Sequence, residues 1–361
     1  MEPLPEPQKS RSWAGVGAAL LAIVLIAVIA FFALPNLLSL TSFITQGNST
    51  STYQLTNVSL TSGSTVNGSS IEITYPQNYD TLENYALSLI NNNRTAFGLS
   101  NVTLSPIPSG QQHADSMLQY GYFSHWDTQG YKPYVRYSLL GGMGFVEENV
   151  AYEYTNLPSF VTTQSVEKAI NYLQWQMMYN DSVCCNNGHR DNILSPFHNR
   201  VSIGIAFDST HVYFVEDFEN YYINLTTPVE TQGGNVVLDG NTSQTLTPTS
   251  VVIFYDSTPQ PLSAQTLNTV YNGPYTPGTF IGGVVPPCNN PFGCPQFSSG
   301  ITVKATTWTV TTTSIDIRFS LSQFLQHSGK GVYTVTLMQG DQNNPEYLTS
   351  ISGVFLDNVP A

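Results

Sequence analysis

Three short polar segments decide the fold of this chain: Phe123-Ser124-His125, Glu147-Glu148-Asn149 and Gly188-His189-Arg190-Asp191-Asn192-Ile193-Leu194. They bring two of the six histidines and a carboxylate into the stretch between residues 123 and 194. Only 10% of all residues are charged, so groups able to perform acid, base or metal chemistry are scarce. This clustering marks the stretch as the candidate functional region.

Two imidazoles and a carboxylate can hold a divalent ion such as zinc with one position open for water. The same groups can also form a hydrogen-bonded polar cavity without metal. His125, Glu148 and His189 are the candidate metal ligands. The structural alternative is that both histidines satisfy buried backbone groups, while Arg190 and Asp191 pair on the surface.

Composition excludes one class of partner. The formal net charge is −13, and nucleic-acid binding requires a clustered positive surface. At 361 residues, the chain is long enough for two folded units with accessory segments.

The first apolar run, residues 13–34, contains 22 residues and no charge. At 1.5 Å per residue this length spans a hydrocarbon core of about 30 Å, which predicts a transmembrane helix. Lys9 and Arg11 precede it, so the positive-inside rule places residues 1–12 in the cytoplasm and the bulk of the chain outside. A cleaved signal peptide, giving a secreted protein, and a pilin-like leader are the alternatives, although the run exceeds a typical signal peptide.

Glycosylation signals agree with an outside location, although chance explains several in a chain rich in Asn, Ser and Thr. Asn-x-Ser/Thr sequons occur at Asn48, Asn57, Asn67, Asn93, Asn101, Asn180, Asn224 and Asn241.

The four cysteines permit disulfides in an oxidising compartment. Cys288 and Cys294 flank a turn-rich insert, so a bridge between them is the easiest to propose. Cys184 and Cys185 are adjacent and could form a vicinal disulfide, stay free or bond elsewhere.

Residues 35–78 are rich in Ser, Thr, Asn and Gly, a composition that buries little and predicts a stalk. Apolar spacing then predicts a helix from Asp80 to Phe97-Gly98, a second after Pro108 and a third over residues 165–180. Alternating apolar residues predict a hairpin of two strands, residues 201–207 and 212–218.

The remaining part, residues 228–361, loses helical periodicity and shows no catalytic constellation. We predict an antiparallel, Ig-like β-sandwich. Its β-branched and aromatic runs lie at residues 251–254, 301–310, 314–321, 331–338 and 348–356.

Residues 79–225 resemble the CAP superfamily (cysteine-rich secretory proteins, antigen 5 and pathogenesis-related 1 proteins; the SCP domain), especially its prokaryotic members. Glu147 stands where the family usually has glycine. The segments that carry the resemblance are Asn91-Asn92-Asn93-Arg94 with Phe97-Gly98-Leu99, Tyr122-Phe123-Ser124-His125-Trp126-Asp127 with Gly130 and Arg136, Glu148-Asn149-Val150-Ala151, Gly188-His189-Arg190 with Asn192-Ile193-Leu194, and Val215-Glu216-Asp217-Phe218.

The resemblance implies an α+β chain in which residues 79–227 form an α/β/α sandwich with a surface groove. In the family the groove floor carries two histidines and two glutamates, and His125, Glu148 and His189 match three of them. The fourth position, three residues after Trp175, is Met178.

The missing glutamate has no evident substitute. Glu167 lies on nearly the same helix face as Met178 but is not equivalent. A longer insert than in compact bacterial members, residues 176–187, could rim the groove.

We therefore predict a surface-anchored extracellular module whose groove binds a peptide, glycan or lipid, with or without a divalent ion such as zinc. A metal-assisted hydrolase, with Glu148 activating water, is one alternative, but the incomplete tetrad argues against turnover. Cys184 or Cys185 as nucleophile would require a depressed thiol pKa. A structural or adhesive protein of the cell envelope is a further alternative.

Overall fold

The computed structural model describes residues 48–54, 70–226, 234–289, 293–340, 345–349 and 351–355. By their internal contacts, Gln46–Ala361 form one compact unit. No helix among the described residues is long and apolar enough to cross a membrane. The predicted transmembrane helix at residues 13–34 and the predicted cytoplasmic segment at residues 1–12 lie outside the described ranges and stay predictions.

The architecture is mixed, with helices and several sheets. The helices are α1 (Tyr79–Ala96), α2 (Ser109–Tyr120), α3 (Pro133–Leu139), α4 (Thr163–Tyr179), α5 (Ser182–Cys185), α6 (Gly188–Ile193), α7 (Ala264–Thr269) and α8 (Ser322–Ser328). The strands are β1 (Ser49–Gln54), β2 (Ser70–Tyr75), β3 (Thr103–Leu104), β4 (Phe145–Tyr154), β5 (Arg200–Phe207), β6 (His211–Asn220), β7 (Ile223–Leu225), β8 (Asn235–Thr242), β9 (Pro248–Asp256), β10 (Thr279–Val285), β11 (Ile301–Lys304), β12 (Thr307–Val310), β13 (Ser314–Ser320), β14 (Gly331–Gly340), β15 (Pro345–Tyr347) and β16 (Ile351–Phe355).

The sheet that carries the candidate site has the strand order β3-β5-β6-β4. Strands β5 and β6 form the predicted hairpin. Strand β4 pairs antiparallel with β6, with Glu148 opposite Asp217, and lies at the edge of the sheet. The G-E-N-like segment of the sequence is therefore an edge strand.

Side chains alternate between the two faces of this sheet, as in any strand. On one face, Phe214 and Phe218 of β6 share a hydrophobic cluster with residues of α1 and α4. On the other face, Tyr213 and Val215 pack with Met117 of α2. Helices therefore pack on both faces of this sheet.

Helix α2 approaches β5 closely at two glycines. A Cβ atom on Gly204 would lie 2.0 Å from the carbonyl oxygen of Gly110, and one on Gly110 would lie 2.7 Å from that of Ser202. Only residues without a Cβ atom allow this separation. The contact brings His113 of α2 down onto the sheet.

The predicted helices are present with small shifts at their ends. Helix α1 begins at Tyr79, one residue before the predicted start, and its end is followed by Gly98 with a φ of 75°. Helix α4 begins two residues earlier than predicted. There the side chains of Thr162 and Ser165 form a reciprocal capping box.

The predicted stalk, residues 35–78, contains two paired strands among its described residues. Strands β1 and β2 pair antiparallel, and Ile73 of β2 has no exposed surface. The backbone N–H of Thr74 donates to Asp115 of α2 at 2.8 Å, and Gln111 donates to the Thr74 carbonyl at 3.0 Å. Strand β2 is therefore attached to α2 by hydrogen bonds.

The C-terminal part contains two further sheets. One has the order β11-β10-β9-β14-β15, with β16 on β14, and the other has the order β12-β13-β8-β7. Leu238 of β8, Ile253 of β9 and Val335 of β14 belong to one hydrophobic cluster, so both sheets contribute to a common core. The pairs are antiparallel except β10 with β11, which is parallel.

Several features differ from the expected antiparallel sandwich. Strand β7 precedes the predicted domain boundary at residue 228 but pairs with β8. Helices α7 and α8 have six and seven residues, too short to show helical periodicity in a sequence. The Ig-like topology stays a prediction.

Both cysteine pairs are disulfides. The Cys288–Cys294 bridge forms as predicted. Cys184 and Cys185 are bonded to each other, which is one of the three alternatives that the sequence left open.

The C-terminal sheets contact the region around α3. The backbone N–H of Ser352 donates to Ser138 Oγ at 3.0 Å. Asp256 accepts from Lys132 Nζ at 2.7 Å and from the Tyr134 hydroxyl at 2.6 Å. Through this contact, residues of the C-terminal part reach the candidate site.

Candidate binding cleft

Glu148 of β4 is the centre of a buried polar network. Its Oε2 lies 2.7 Å from His113 Nδ1 and accepts from Arg136 Nη2 at 2.6 Å. Its Oε1 lies 2.9 Å from His125 Nδ1, and the side chain has no exposed surface. Both carboxylate oxygens are therefore engaged inside the protein.

The network keeps Glu148 ionised. Burial would raise the pKa of this carboxyl, but the Arg136 guanidinium, with help from His113 and His125, holds the pKa well below its usual range. Arg136 is itself 2% exposed and also donates to the His125 carbonyl at 2.7 Å. The arrangement is a buried ion pair, which is stable only while each charged group keeps its partners.

His113 was not among the predicted site residues. It has no exposed surface, and burial together with the Arg136 charge lowers its pKa to about 4. The neutral imidazole can donate its Nδ1–H to Glu148. Its buried Nε2 has no hydrogen-bond partner among the described residues. The sequence did contain one sign of its burial: His113 is next to Ala114, on the apolar stripe of α2 that faces the sheet.

The C-terminal part completes this network through Tyr275. Its hydroxyl accepts from the backbone N–H of Glu148 at 3.0 Å, and its ring centroid lies 4.8 Å from that of His125. The Ser124 hydroxyl donates to the Tyr271 carbonyl at 2.6 Å. No local motif marks Tyr275, so sequence reasoning gave the C-terminal part no place in the site.

His189 has a different carboxylate partner. Its Nδ1 lies 2.6 Å from Asp181 Oδ1, and its backbone N–H donates to Asp181 Oδ2 at 2.9 Å. The side chains of His189 and Asp181 are 17% and 1% exposed. Asp181 was not predicted; it lies three residues after Met178, the position to which the resemblance pointed. Met178 is buried in the core, and His189 is bonded to the carboxylate of Asp181.

Asn149 joins the two histidine regions. Its amide donates to the His189 carbonyl at 3.1 Å and to Glu216 Oε2 at 2.9 Å. Its Oδ1 accepts from Asn192 Nδ2 at 3.0 Å. The G-E-N-like and G-H-R-x-N segments are therefore bonded directly, and this fixes α6 against β4.

The structure brings the predicted site residues together in part. His125 is hydrogen-bonded to Glu148, whereas His189 is bonded to Asp181, and all three predicted residues line one cleft. A metal held by His125, Glu148 and His189 stays a prediction. Within the described part of the chain, the cluster of three or more His, Cys, Asp or Glu side chains close enough for one ion is formed by Asp181, Cys184, Cys185 and His189.

The donor set suits the predicted divalent ion only in part. His125 and His189 each place Nδ1 on a carboxylate, so each can keep the Nε2 lone pair for an ion. Metal-ligating histidines commonly have such a carboxylate partner. The Arg136 guanidinium lies 2.6 Å from Glu148 Oε2, and its positive charge opposes a metal cation at the same carboxylate. Glu148 therefore fits the role of orienting His125 and does not fit that of a ligand.

The cleft has a volume of about 950 Å³. No Lys or Arg occurs among the described residues that line it, whereas Glu147, Glu148 and Asp181 do. Its aromatic lining comes from both parts of the chain and consists of Phe123, Tyr134, Phe145, Tyr152, Tyr172, Phe254, Tyr275 and Tyr347.

One wall of the cleft is the edge strand β4. The Glu148 N–H is donated to Tyr275, so Glu148 and Asp217 form a pair without mutual backbone hydrogen bonds. By alternation, the backbone groups of Val150 and Tyr152 also point away from β6. Both residues line the cleft, and Tyr152 is 48% exposed.

Comparison with known proteins finds partial structural neighbours. No family profile and no curated protein sequence matches the chain. The CAP domain of Enterococcal PrgA is similar with 15% identity and a TM-score of 0.28, over 38% of this chain and 59% of that one. An extracellular protein containing a SCP domain from Bacillus anthracis str. Ames is similar with 18% identity and a TM-score of 0.30, over 42% and 47%. The chain thus spans about half the length of these neighbours.

Proposed function

We propose that the chain is an extracellular CAP-like binding module whose cleft takes an extended peptide of neutral or positive charge. The family assignment rests on the ordered motifs of residues 79–225. The ligand class rests on the lining of the cleft. Its volume of about 950 Å³ lies within the range of ligand sites in proteins.

Charge selects among the ligand classes that the sequence left open. A fatty acid or an anionic lipid headgroup would meet Glu147 and Asp181 without a Lys or Arg among the described lining residues. Like charges in a partly desolvated site repel each other. A neutral or basic ligand avoids this repulsion and can stack on the aromatic rings, which also attract cations.

The edge strand favours a peptide over a glycan. An extended peptide can add to an exposed sheet edge through main-chain hydrogen bonds, while pockets between side chains read its sequence. Tyr275 occupies the edge at Glu148 and Val150 is buried, so the peptide would pair beyond them, at Tyr152. Tyr152 and Tyr172 would flank its side chains.

The proposed location is outside the cell, anchored by residues 13–34. Two disulfides support an oxidising compartment. The sequons agree with this location.

A hydrolase reading is not supported by the position of Glu148. A general base needs a free oxygen within reach of water, and its pKa should lie near the working pH. Both Glu148 oxygens are bonded, and Arg136 holds the pKa of this carboxyl well below its usual range. We therefore assign Glu148 a positioning role, holding His125 and the wall of the cleft.

The test is binding of peptide sets by the full chain in mild detergent. Acidic, neutral and basic peptides of equal length would be compared by fluorescence anisotropy, beside neutral oligosaccharides and fatty acids. We expect binding of neutral and basic peptides, with tighter binding at low salt for the basic set. Preferential binding of acidic peptides, oligosaccharides or fatty acids would overturn the proposed ligand class.

A matched pair of variants locates the site. Tyr152→Ala should weaken peptide binding by about tenfold, the usual loss when a central aromatic contact is removed. Tyr120→Ala removes a tyrosine of similar exposure, 52%, that lies on α2 and does not line the cleft. Equal binding by the two variants would place the ligand elsewhere. Circular dichroism would verify that both remain folded.

A further inference from the structure

A cluster of side chains that can bind a metal ion lies at the rim of the cleft. The ligand atoms of Asp181, Cys184, Cys185 and His189 all lie within 4.8 Å of one another. The Cys184 sulfur lies 3.6 Å from Asp181 Oδ1, the same oxygen that contacts His189 Nδ1. Two sulfurs, one imidazole and one carboxylate are four ligands of the kinds that bind zinc in proteins.

The short chain segment fixes this proximity. Cys184 and Cys185 end helix α5, and His189 is the second residue of α6. Asn186 and Asn187 between them have φ values of 51° and 65°, a left-handed conformation that reverses the chain over two residues. Asp181 is held to α6 by the backbone N–H groups of His189 and Arg190. The four side chains therefore stay together through local structure.

The oxidation state decides whether these sulfurs can bind metal. The thiolate is the metal ligand among the forms of cysteine. In the disulfide the Cys184 and Cys185 sulfurs are bonded to each other. Cys184 is exposed, so a reductant can reach the bond.

We propose that Cys184, Cys185, His189 and Asp181 form a zinc site, and that the Cys184–Cys185 disulfide blocks metal binding until it is reduced. A dithiol reductant transfers two electrons and two protons to the disulfide and leaves as its own disulfide. The two cysteines become thiols. Zinc binding then displaces the two thiol protons, and Asp181 and the His189 imidazole complete the coordination.

The ligand types determine which ions are selected. Thiolate and imidazole favour zinc and related ions over calcium and magnesium, which prefer oxygen ligands. This site is distinct from an ion on His125 and His189, because it requires sulfur and reduction. It does not depend on which ligand occupies the cleft.

The test uses the full chain, in mild detergent, with cobalt as a spectroscopic probe for zinc. A phosphine reductant, which converts to its oxide with oxygen from water, opens the disulfides without a thiol that would compete for the metal. We expect the reduced chain to bind one cobalt ion with a sulfur-to-metal charge-transfer band and with tetrahedral d–d absorption. Zinc should displace it. We expect the oxidised chain to show no such band.

Two matched variants separate the cysteine pairs. Cys184→Ser/Cys185→Ser should abolish the charge-transfer band. Cys288→Ser/Cys294→Ser should retain it, since that pair lies outside the cluster. Loss of the band only in the second variant, or in neither, would overturn the proposal. A band of equal strength in the oxidised chain would also overturn it.

The other ligands are tested by affinity. His189→Ala should weaken cobalt binding at least about tenfold, since changes around a metal site cost about 10- to 100-fold even one shell away. His211→Ala is the control, because His211 is also partly exposed and contacts a carboxylate, that of Asp208. Equal affinity of the His189→Ala variant and the wild type would show that His189 is not a ligand.

Discussion

Two histidine–carboxylate pairs line the same cleft in opposite environments. Glu148, the partner of His125, has no exposed surface and two further partners. Asp181, the partner of His189, lies at the rim beside an exposed disulfide sulfur. Both carboxylates are buried and bonded through both oxygens, but Glu148 is paired with the Arg136 guanidinium, whereas Asp181 is held by His189 and two backbone N–H groups. The first pair holds the wall of the cleft, and the second places a partly exposed imidazole beside an exposed sulfur, without a cation on its carboxylate.

The largest expected effect comes from removing the cation of the inner network. Arg136→Met removes the guanidinium from the buried Glu148 carboxylate, and loss of one partner of a buried ion pair costs about 3–5 kcal/mol. The free energy of unfolding in urea measures this. Arg318→Met is the control, because Arg318 pairs with Asp316 on the surface and should matter little. Equal stability of the Arg136→Met variant and the wild type would show that Glu148 is not dependent on this charge.

The next effect concerns pH. Glu216 has no exposed surface, and burial raises its pKa to about 8, although Asn149 donates a hydrogen bond to it. The folded state keeps this proton while the unfolded state loses it above its ordinary pKa of 4.5. Stability should therefore fall as pH rises from 4.5 to about 8, by at most about 1.4 kcal/mol per pH unit for this group.

Glu216→Gln isolates that contribution, because the amide cannot ionise. The variant should lose less stability than the wild type between pH 5 and pH 8. Urea unfolding at a series of pH values gives both slopes. Parallel curves would mean that Glu216 is ionised in the folded protein.

A smaller effect is expected at the contact between the C-terminal part and β4. Tyr275→Phe removes the acceptor of the Glu148 backbone N–H, which should cost about 1 kcal/mol. Tyr120→Phe, at an exposed position, should leave the free energy of unfolding unchanged. If Tyr275→Phe is equally silent, water or another group satisfies that N–H.

The smallest effect is expected at the rim. Asp181→Asn keeps an oxygen for the backbone N–H groups, and its amide can donate to His189 Nδ1 when the imidazole proton is on Nε2, so the loss should be below about 1 kcal/mol. Thermal unfolding measures the shift. A loss as large as that of Arg136→Met would contradict the distinction between an inner pair that depends on a buried cation and an outer pair that does not.

The sequence predicted the parts of the fold that depend on local pattern. Helices α1, α2 and α4 carry an apolar stripe of helical spacing, and β5 and β6 alternate around a polar turn. Hydrogen bonds also join the motif segments to one another, as between Asn149 and Asn192. The placement of His125, Glu148 and His189 in one groove rested on the resemblance to the CAP superfamily and on no local pattern.

The site residues that the sequence did not predict depend on long-range contacts. His113 and Tyr275 contact Glu148 from positions 35 and 127 residues away along the chain. Asp181 has a local contact with His189, but the sequence pattern directed attention to Met178. In the same way, the parallel pairing of β10 with β11 is set by packing between distant strands and leaves no local signature.

The hairpin of β1 and β2 has a mechanical consequence. Ser49 lies opposite Tyr75, so both ends of the hairpin are on the same side. A force pulling on the chain before Ser49 would break the pairs one after another, as in unzipping. Full extension of residues 49–75 releases about 90 Å of chain. Thr74 is bonded to α2, so the hairpin would lengthen before the pulling force reached the sheet of β3, β5, β6 and β4. Single-molecule pulling would record this lengthening as an early step at low force.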